Sequence, residues 1–266
     1  MASLPSPGEI VVDESASPQL VVSGGDRVRF LQGMLSNDVG TLADGACLRA
    51  AILNVKGRVL VLVTARREGE TFRLVTDAGW GDKLRGLLDR YAIADDVTFE
   101  PTAVPLHRVW ASSEDVWSAP LVDGAGALKP GDEAVERARI VAGLPVYGVD
   151  VDEDCFPFEA NLERAISRVK GCYVGQEVVA RAHARGGANR ALVGLVISGD
   201  GAVARGAKIA AAGREDAGSV TSAVVDAARG SIALGYVHKS AWDPGSEVTV
   251  DGRPARVSAL PFGDGA

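Results

Sequence analysis

A chain of 266 residues, 47% hydrophobic and 24% charged, has the composition of a folded globular protein with room for more than one core. Its net charge of −7 excludes the basic face that a nonspecific grip on DNA or RNA requires, and three cysteines at 47, 155 and 172, with no CxxC pair, exclude a disulfide framework and half of a zinc site. No run approaches the ~20 apolar residues that span a bilayer, and Pro5, Pro7, Glu9 and Asp13 do not make a signal peptide, so a cytoplasmic protein is expected.

The first 18 residues, rich in Pro, Ser and acids, read as a frayed lead-in to a strand at Gln19–Ser23 that Gly24-Gly25 ends. Asp26 is placed to cap a helix with Val28, Leu31 and Leu35 on one stripe, closing at Ser36-Asn37-Asp38. Cys47–Leu53 and Arg58–Ala65 are apolar runs joined by Asn54-Val55-Lys56-Gly57, which has the glycine of a hairpin turn. A strand at Thr71–Thr76, a helix from about Trp80 to Tyr91 on Leu84, Leu87 and Leu88, and strands at Val97–Glu100 and Leu106–Trp110 follow. Ser118–Gly131 reads as loop, and Asp132 as the cap of a helix to about Ala142 that Gly143 and Pro145 end. Asp150-Val151-Asp152-Glu153-Asp154 reads as a solvated acidic loop, since it lacks the glycine and terminal glutamate of a helix-loop-helix calcium site. No metal site is expected.

From Ala191 the texture changes to short β-rich runs at Leu192–Ile197, Lys208–Ala212, Gly218–Val225, Ile232–Val237, Glu247–Val250 and Pro254–Leu260, the last two joined by the hairpin signal Asp251-Gly252. Short strands leave exposed edges unless the sheet closes, so this part is expected to be a small barrel or sandwich. The composition therefore divides the chain near 190, into an α+β body of residues 1–190 and a small barrel or sandwich of residues 191–266.

The chemistry concentrates in Arg168-Val169-Lys170-Gly171-Cys172-Tyr173-Val174-Gly175-Gln176-Glu177. A cation beside Cys172 favours thiolate over thiol, and Gly171 and Gly175 permit a tight or left-handed loop that brings sulfur to a surface. A lone cysteine is also a small buried hydrophobe in many proteins, and local physics leaves both readings open. His183 lies close enough in sequence for a Cys-His pair, but no third orienting residue is visible. His107 and His238 sit in expected strands with no acidic or thiol neighbour and read as structural. Arg164, Arg168, Lys170, Arg181, Arg185 and Arg190 form a local basic cluster, a solvated face or a docking site for an anionic ligand. Gly186-Gly187 follows no dinucleotide pattern, and there is no GxSxG elbow.

Phe156-Pro157-Phe158-Glu159-Ala160-Asn161-Leu162, Ile166-Ser167, Lys170 to Glu177 and Ala180-Arg181 together resemble the KGCYxGQE signature and flanks of the YgfZ-like folate-binding iron–sulfur cluster assembly proteins. Phe30-Leu31-Gln32-Gly33, Ser36 to Val39, Leu53 to Arg58, Ala138-Arg139-Ile140, Gly143-Leu144-Pro145, Val220-Thr221-Ser222 and Leu260-Pro261-Phe262 continue the resemblance in order. The wider superfamily contains the T-protein of the glycine cleavage system. The resemblance implies an aminomethyltransferase-type α+β body with a ferredoxin-like part, closed by a C-terminal β-barrel around a folate channel. It also implies a tetrahydrofolate-binding protein that assists iron–sulfur clients or assembly proteins, an assembly factor rather than a classical enzyme.

In that reading Cys172 is the functional thiol, Lys170 and nearby arginines bias it toward thiolate, Gly171 and Gly175 shape the loop, and Gln176 and Glu177 fix it. Tyr173 and Arg181 belong to the same signature. Asn37, Asp38, Glu159 and Asn161 are the candidates for folate, because amide and carboxylate groups match the donors and acceptors of a pterin edge. In the aminomethyltransferases the segment matching Gly57 to Leu62 carries an acidic residue, whereas Val59-Leu60-Val61-Leu62 is wholly apolar. That departure points away from methylene transfer, which stands as the alternative. Arg168-Val169 replaces a commonly aromatic pair of the YgfZ-like pattern and makes the loop more basic.

Overall fold

Strands β2 (Gln19–Ser23), β3 (Cys47–Leu53), β4 (Val59–Glu68), β5 (Thr71–Thr76) and β6 (Thr98–Thr102) form where β-branched and apolar residues dominate, and they assemble into an antiparallel sheet in the order β3-β4-β5-β2-β6. This is the centre of the first of two units in the chain, residues 1–130 with 163–179; the second comprises 131–162 and 180–266. The structure is a computed structural model and describes residues 9–111, 121–122, 128–184, 187–201 and 203–263. Much of the loop expected at Ser118–Gly131, together with Arg185 and Gly186, lies outside the described residues.

In the first unit, helices α1 (Arg27–Met34) and α2 (Gly81–Tyr91) lay Phe30, Leu31, Leu84 and Leu88 against Val22, Val61, Val63, Phe72 and Leu74 of the sheet. Pro101, which cannot donate to a ladder, is tolerated because β6 is an edge strand paired only with β2. Asp26 does not cap α1 with its side chain; its carboxylate instead accepts the Asp96 N–H at 2.9 Å and pairs with Arg29 at 3.2 Å.

The expectation of a frayed start is corrected from Glu9 onward, while residues 1–8 lie outside the described residues. Residues Glu9–Asp13 form β1, which pairs in register with β7 (His107–Ala111), and β7 pairs with the short β8 (Leu121–Val122). Only a partner about a hundred residues away reveals this strand. The same pairing sets Asp13 opposite His107, with Nε2 of the buried imidazole 3.7 Å from Asp13 Oδ1, so His107 does have an acidic neighbour. Arg108 binds Glu14 bidentately at 2.6 and 2.9 Å and Thr64 of β4 at 3.0 Å, tying the small sheet to the large one.

In the second unit, β9 (Arg190–Ile197), β10 (Lys208–Ala211), β11 (Arg214–Asp226), β12 (Gly230–His238), β13 (Glu247–Val250) and β14 (Arg253–Ser258) close into a barrel in the order β10-β11-β12-β9-β14-β13. Leu195, Ile209, Val220, Ala233, Val237, Val250 and Val257 fill it. Closure pairs β13 with β10 and leaves no free edge. Asp251 and Gly252, at φ 46° and 81°, make the expected hairpin turn between β13 and β14.

The second unit begins well before residue 190 because α3 (Glu133–Val141) is bound to the barrel. Arg139 donates to Asp150 Oδ2 at 2.8 Å and to Ser222 Oγ of β11 at 2.6 Å, and Asp150 Oδ1 accepts the hydroxyls of Thr221 and Ser222 at 2.5 and 2.7 Å. Asp150 is therefore not part of a solvated loop, as its acidic neighbours suggested. Its side chain is 0% exposed, while Asp152, Glu153 and Asp154 are exposed.

Candidate functional site

The segment carrying Cys172 is assembled on the end of α1 and the first hairpin of the sheet. Ser36, fully buried, is the hub. Its backbone pairs with Ala51 of β3, its hydroxyl accepts the Ala51 N–H at 2.8 Å and donates to Ala165 O at 2.7 Å, and its carbonyl accepts the Ser167 N–H at 2.9 Å. Ser167 then turns the chain by accepting the N–H of Lys170 at 3.2 Å. Further on, Val174 N–H donates to Gly33 O at 3.1 Å and Gln176 N–H to Tyr173 O at 3.2 Å, where α4 (Gln176–Ala184) begins.

Lys170 is buried, and its ammonium points back under the loop. Nζ donates to Leu35 O at 2.7 Å and Asn37 O at 2.8 Å and lies 5.4 Å from the Tyr173 ring centroid. These carbonyls lie just beyond the C-terminus of α1, where partial negative charge accumulates and a cation is favoured. Burial pushes the Lys170 pKa down to about 8, opposed by the nearby Asp38 charge. The structure thus gives Lys170 a bond to main-chain oxygens, not to the sulfur beside which the sequence set it.

Cys172 itself is exposed, whereas Cys47 and Cys155 are buried and burial pushes both of their thiols up. On either side of it the loop is anchored by Lys170 and by buried Tyr173, so the thiol is held out by its neighbours. Gly175 has φ 82°, as a tight loop requires, and a Cβ there would stand 2.5 Å from Asn54 O. Gly171 differs from expectation, having no left-handed φ and open space where a Cβ would go. Glu177 is exposed in the first turn of α4, an end that favours a carboxylate, and the fixing assigned to Gln176 is through its backbone. The His183 side chain lies outside the described residues, so the Cys-His pair has no geometry to report.

Asn37 and Asp38 are brought to the same place as Lys170, but for architectural work. Asn37 Nδ2 donates to Arg49 O at 2.9 Å and Arg164 O at 3.1 Å, and its Oδ1 accepts the Asp38 N–H. Asp38 Oδ1 accepts from Gln32 Nε2 and the Gly40 N–H. Glu159, Asn161 and Arg181 fall in the second unit. Buried Glu159 accepts the Phe156 N–H at 3.0 Å; Asn161, at φ 54°, donates to Gly143 O at 2.7 Å; Arg181 is exposed on α4. The basic cluster is likewise divided, with Arg164, Arg168 and Lys170 in the first unit and Arg181 and Arg190 in the second.

Sequence reasoning missed Ser36, Gly33 and Gly57 as builders of the loop. Each lay inside a stretch already singled out, but Ser36 and Gly33 act through hydrogen bonds to Ala165, Ser167 and Val174, and Gly57 through its close approach to Gly175, all far away in sequence.

Comparison with known proteins adds three findings. The family model for the glycine cleavage T-protein C-terminal barrel domain matches residues 190–264. An uncharacterized protein of Haemophilus influenzae is 31% identical over 64% of this chain and 68% of its own length, and an aminomethyltransferase of Staphylococcus carnosus is 24% identical over 94% and 84%. The crystal structure of the glycine cleavage system aminomethyltransferase T from Bartonella henselae superposes with a TM-score of 0.80 at 21% identity, covering 97% of this chain and 87% of that one.

The chain belongs to the glycine cleavage T-protein superfamily.

The superfamily barrel accounts for the change of texture near Ala191, since the matched domain opens where β9 does, at Arg190. The aminomethyltransferase-like fold and C-terminal barrel expected from sequence are what the chain forms. Within this superfamily fold, Val59, Val61, Leu62 and Val63 of β4 are buried, and no carboxylate stands among them. Among the described residues, no helix is long and apolar enough to cross a membrane and no group of three or more His, Cys, Asp or Glu is placed to hold a metal ion.

Proposed function

We propose that this superfamily member is a cytoplasmic, tetrahydrofolate-binding accessory protein of the YgfZ-like kind, which assists the assembly or maintenance of iron–sulfur clusters in client proteins through Cys172. The observation that carries this reading is the presentation of Cys172: the one exposed thiol of three, on a loop whose flanking residues are anchored inward. A thiol displayed in this way can meet a macromolecular client, and its thiolate is the form that ligates iron or takes up sulfur. Lys170 contributes by holding the loop in place. Tetrahydrofolate is compatible with the residues of the first unit, since Asp38 keeps Oδ2 outside its structural bonds, an acceptor that suits an N–H group of a reduced pterin. Asn37 is withdrawn from that role, its amide being committed to two carbonyls.

The second reading is a tetrahydrofolate-dependent aminomethyl or methyl transferase, favoured by the names of relatives such as the Staphylococcus carnosus protein. The apolar run on β4 weighs against it, because it offers no group to accept a proton or steady an iminium.

Two measurements separate these readings. Isothermal titration of the purified protein with tetrahydrofolate is expected to show saturable binding that Cys172→Ser retains. In cells lacking the gene, iron–sulfur enzyme activities should be restored by wild type and not by Cys172→Ser. Full rescue by Cys172→Ser would refute the thiol role, and methylene transfer from a glycine-derived amine at a useful rate would establish the transferase reading instead.

A further inference from the structure

The second unit contains a cavity of ≈ 250 Å³ between the loop 148–155, the start of β9 and the outer residues of β11 and β12. Its wall carries polar chemistry that the proposed function does not use. Arg190 lies over the Tyr236 ring, 4.6 Å from the centroid, and its Nη2 donates to Asp154 O at 3.3 Å and approaches Cys155 Sγ at 3.6 Å. Below it, buried Cys155 is 3.2 Å from both Tyr236 Oη and Asp152 Oδ1. Arg205 braces the other side, with Nη2 donating to Gly148 O at 3.1 Å and Val149 O at 2.8 Å.

Both guanidinium groups are therefore oriented through Nη2, and among the described residues Nη1 of each has no hydrogen-bond partner. The carboxylates nearby are largely spent. Asp150 is saturated by Arg139, the Val146 N–H, Thr221 and Ser222; Glu159 accepts the Phe156 N–H and stands 4.0 Å from Arg190 Nε, away from Nη1; Asp152 Oδ1 holds the Cys155 thiol and the Asp154 N–H. Two pre-oriented arginines with donors remaining, above a hydroxyl and a thiol kept neutral by burial, make a receptor for oxygen anions.

We infer that this cavity binds a small molecule through a carboxylate or phosphate group held between Arg190 and Arg205, with Tyr236 and Cys155 as its floor. The site lies wholly within the second unit and does not depend on the iron–sulfur reading. The volume admits a small metabolite and not a nucleotide or a polymer.

The full-length protein labelled with nitrogen-15 is titrated with sodium phosphate and, separately, with sodium acetate, using sodium chloride at matched ionic strength as the control. Saturable amide shifts confined to residues 148–155, 205–206, 219–221 and 236 are expected from at least one of the two anions. Phosphate alone or acetate alone assigns the ligand class. Arg205→Gln, at an exposed position, and Arg190→Gln should each weaken binding about tenfold, the effect of one lost charge-assisted hydrogen bond. The inference is overturned if neither anion gives saturable shifts at these amides, if chloride reproduces them, or if the double variant binds as wild type does. Since the wild-type titration alone can overturn it, a variant that fails to fold does not protect the inference.

Discussion

Gly57 and Gly175 meet backbone to backbone: a Cβ on Gly175 would lie 3.2 Å from Gly57 Cα, and one on Gly57 would lie 3.4 Å from Gly175 O. Both have left-handed backbones, at φ 74° and 82°. One glycine closes the hairpin between β3 and β4, and the other closes the cysteine loop before α4, so the sheet reaches the loop through two residues without side chains. The position of Cys172 is thereby referred to the sheet.

Gly175→Ala should destabilise the protein by about 2–4 kcal/mol, because it adds left-handed strain to a clash with a main-chain carbonyl. Gly171→Ala, which meets open space, should change stability by less than about 0.5 kcal/mol. Urea denaturation of the two variants decides the matter. Equal losses would show that the loop does not rest on the Gly57 contact.

Lys170→Met keeps the length of the side chain but leaves Leu35 O and Asn37 O without their donor, and should cost about 2–4 kcal/mol near pH 7. If thiolate bias were the only work of Lys170, stability would hardly change and only Cys172 alkylation would slow. Measuring both in one variant separates positioning from activation.

The same lysine predicts a pH dependence. Its folded pKa of about 8 lies below its ordinary 10.5, so the unfolded chain binds more protons between those values. Wild-type stability should therefore gain on that of Lys170→Met as pH rises from 8 to 10.5, and the difference should be flat below 8. A difference that shrinks over that interval would place the lysine in an environment that favours its charge.

Native-state alkylation should modify Cys172 at least about tenfold faster than Cys47 or Cys155, with all three equal in denaturant. Peptide mass spectrometry over a time course reads this directly. Comparable rates at Cys155 in the native protein would mean that its cavity opens readily.

In the second unit, Asp150→Ala should cost about 2–4 kcal/mol, since it leaves the buried Arg139 guanidinium with Glu136 as its remaining carboxylate and removes the acceptor of the Val146 N–H and of the Thr221 and Ser222 hydroxyls. Asp154→Ala, on the exposed part of the same acidic run, should be near neutral in thermal unfolding.

Local sequence was enough for the elements whose cause is local. Periodicity placed β2, β3 and β5 at their observed bounds, the Asp251-Gly252 turn marked its hairpin, and the closely spaced strands after Ala191 pointed to a small barrel or sandwich, of which the structure forms the barrel. The Lys170 to Glu177 motif marked the loop and its thiol from sequence alone. What only the tertiary structure decided depends on partners far away in the chain: that β1 exists, because β7 pairs with it; that Asp150 is buried, because Arg139 and Ser222 surround it; and that Lys170 is committed to Leu35 and Asn37, over a hundred residues earlier. Spacing along a chain reports which side chains share a face. It does not report which carbonyls, left without donors at the end of a helix, will draw a distant cation away from the cysteine beside it.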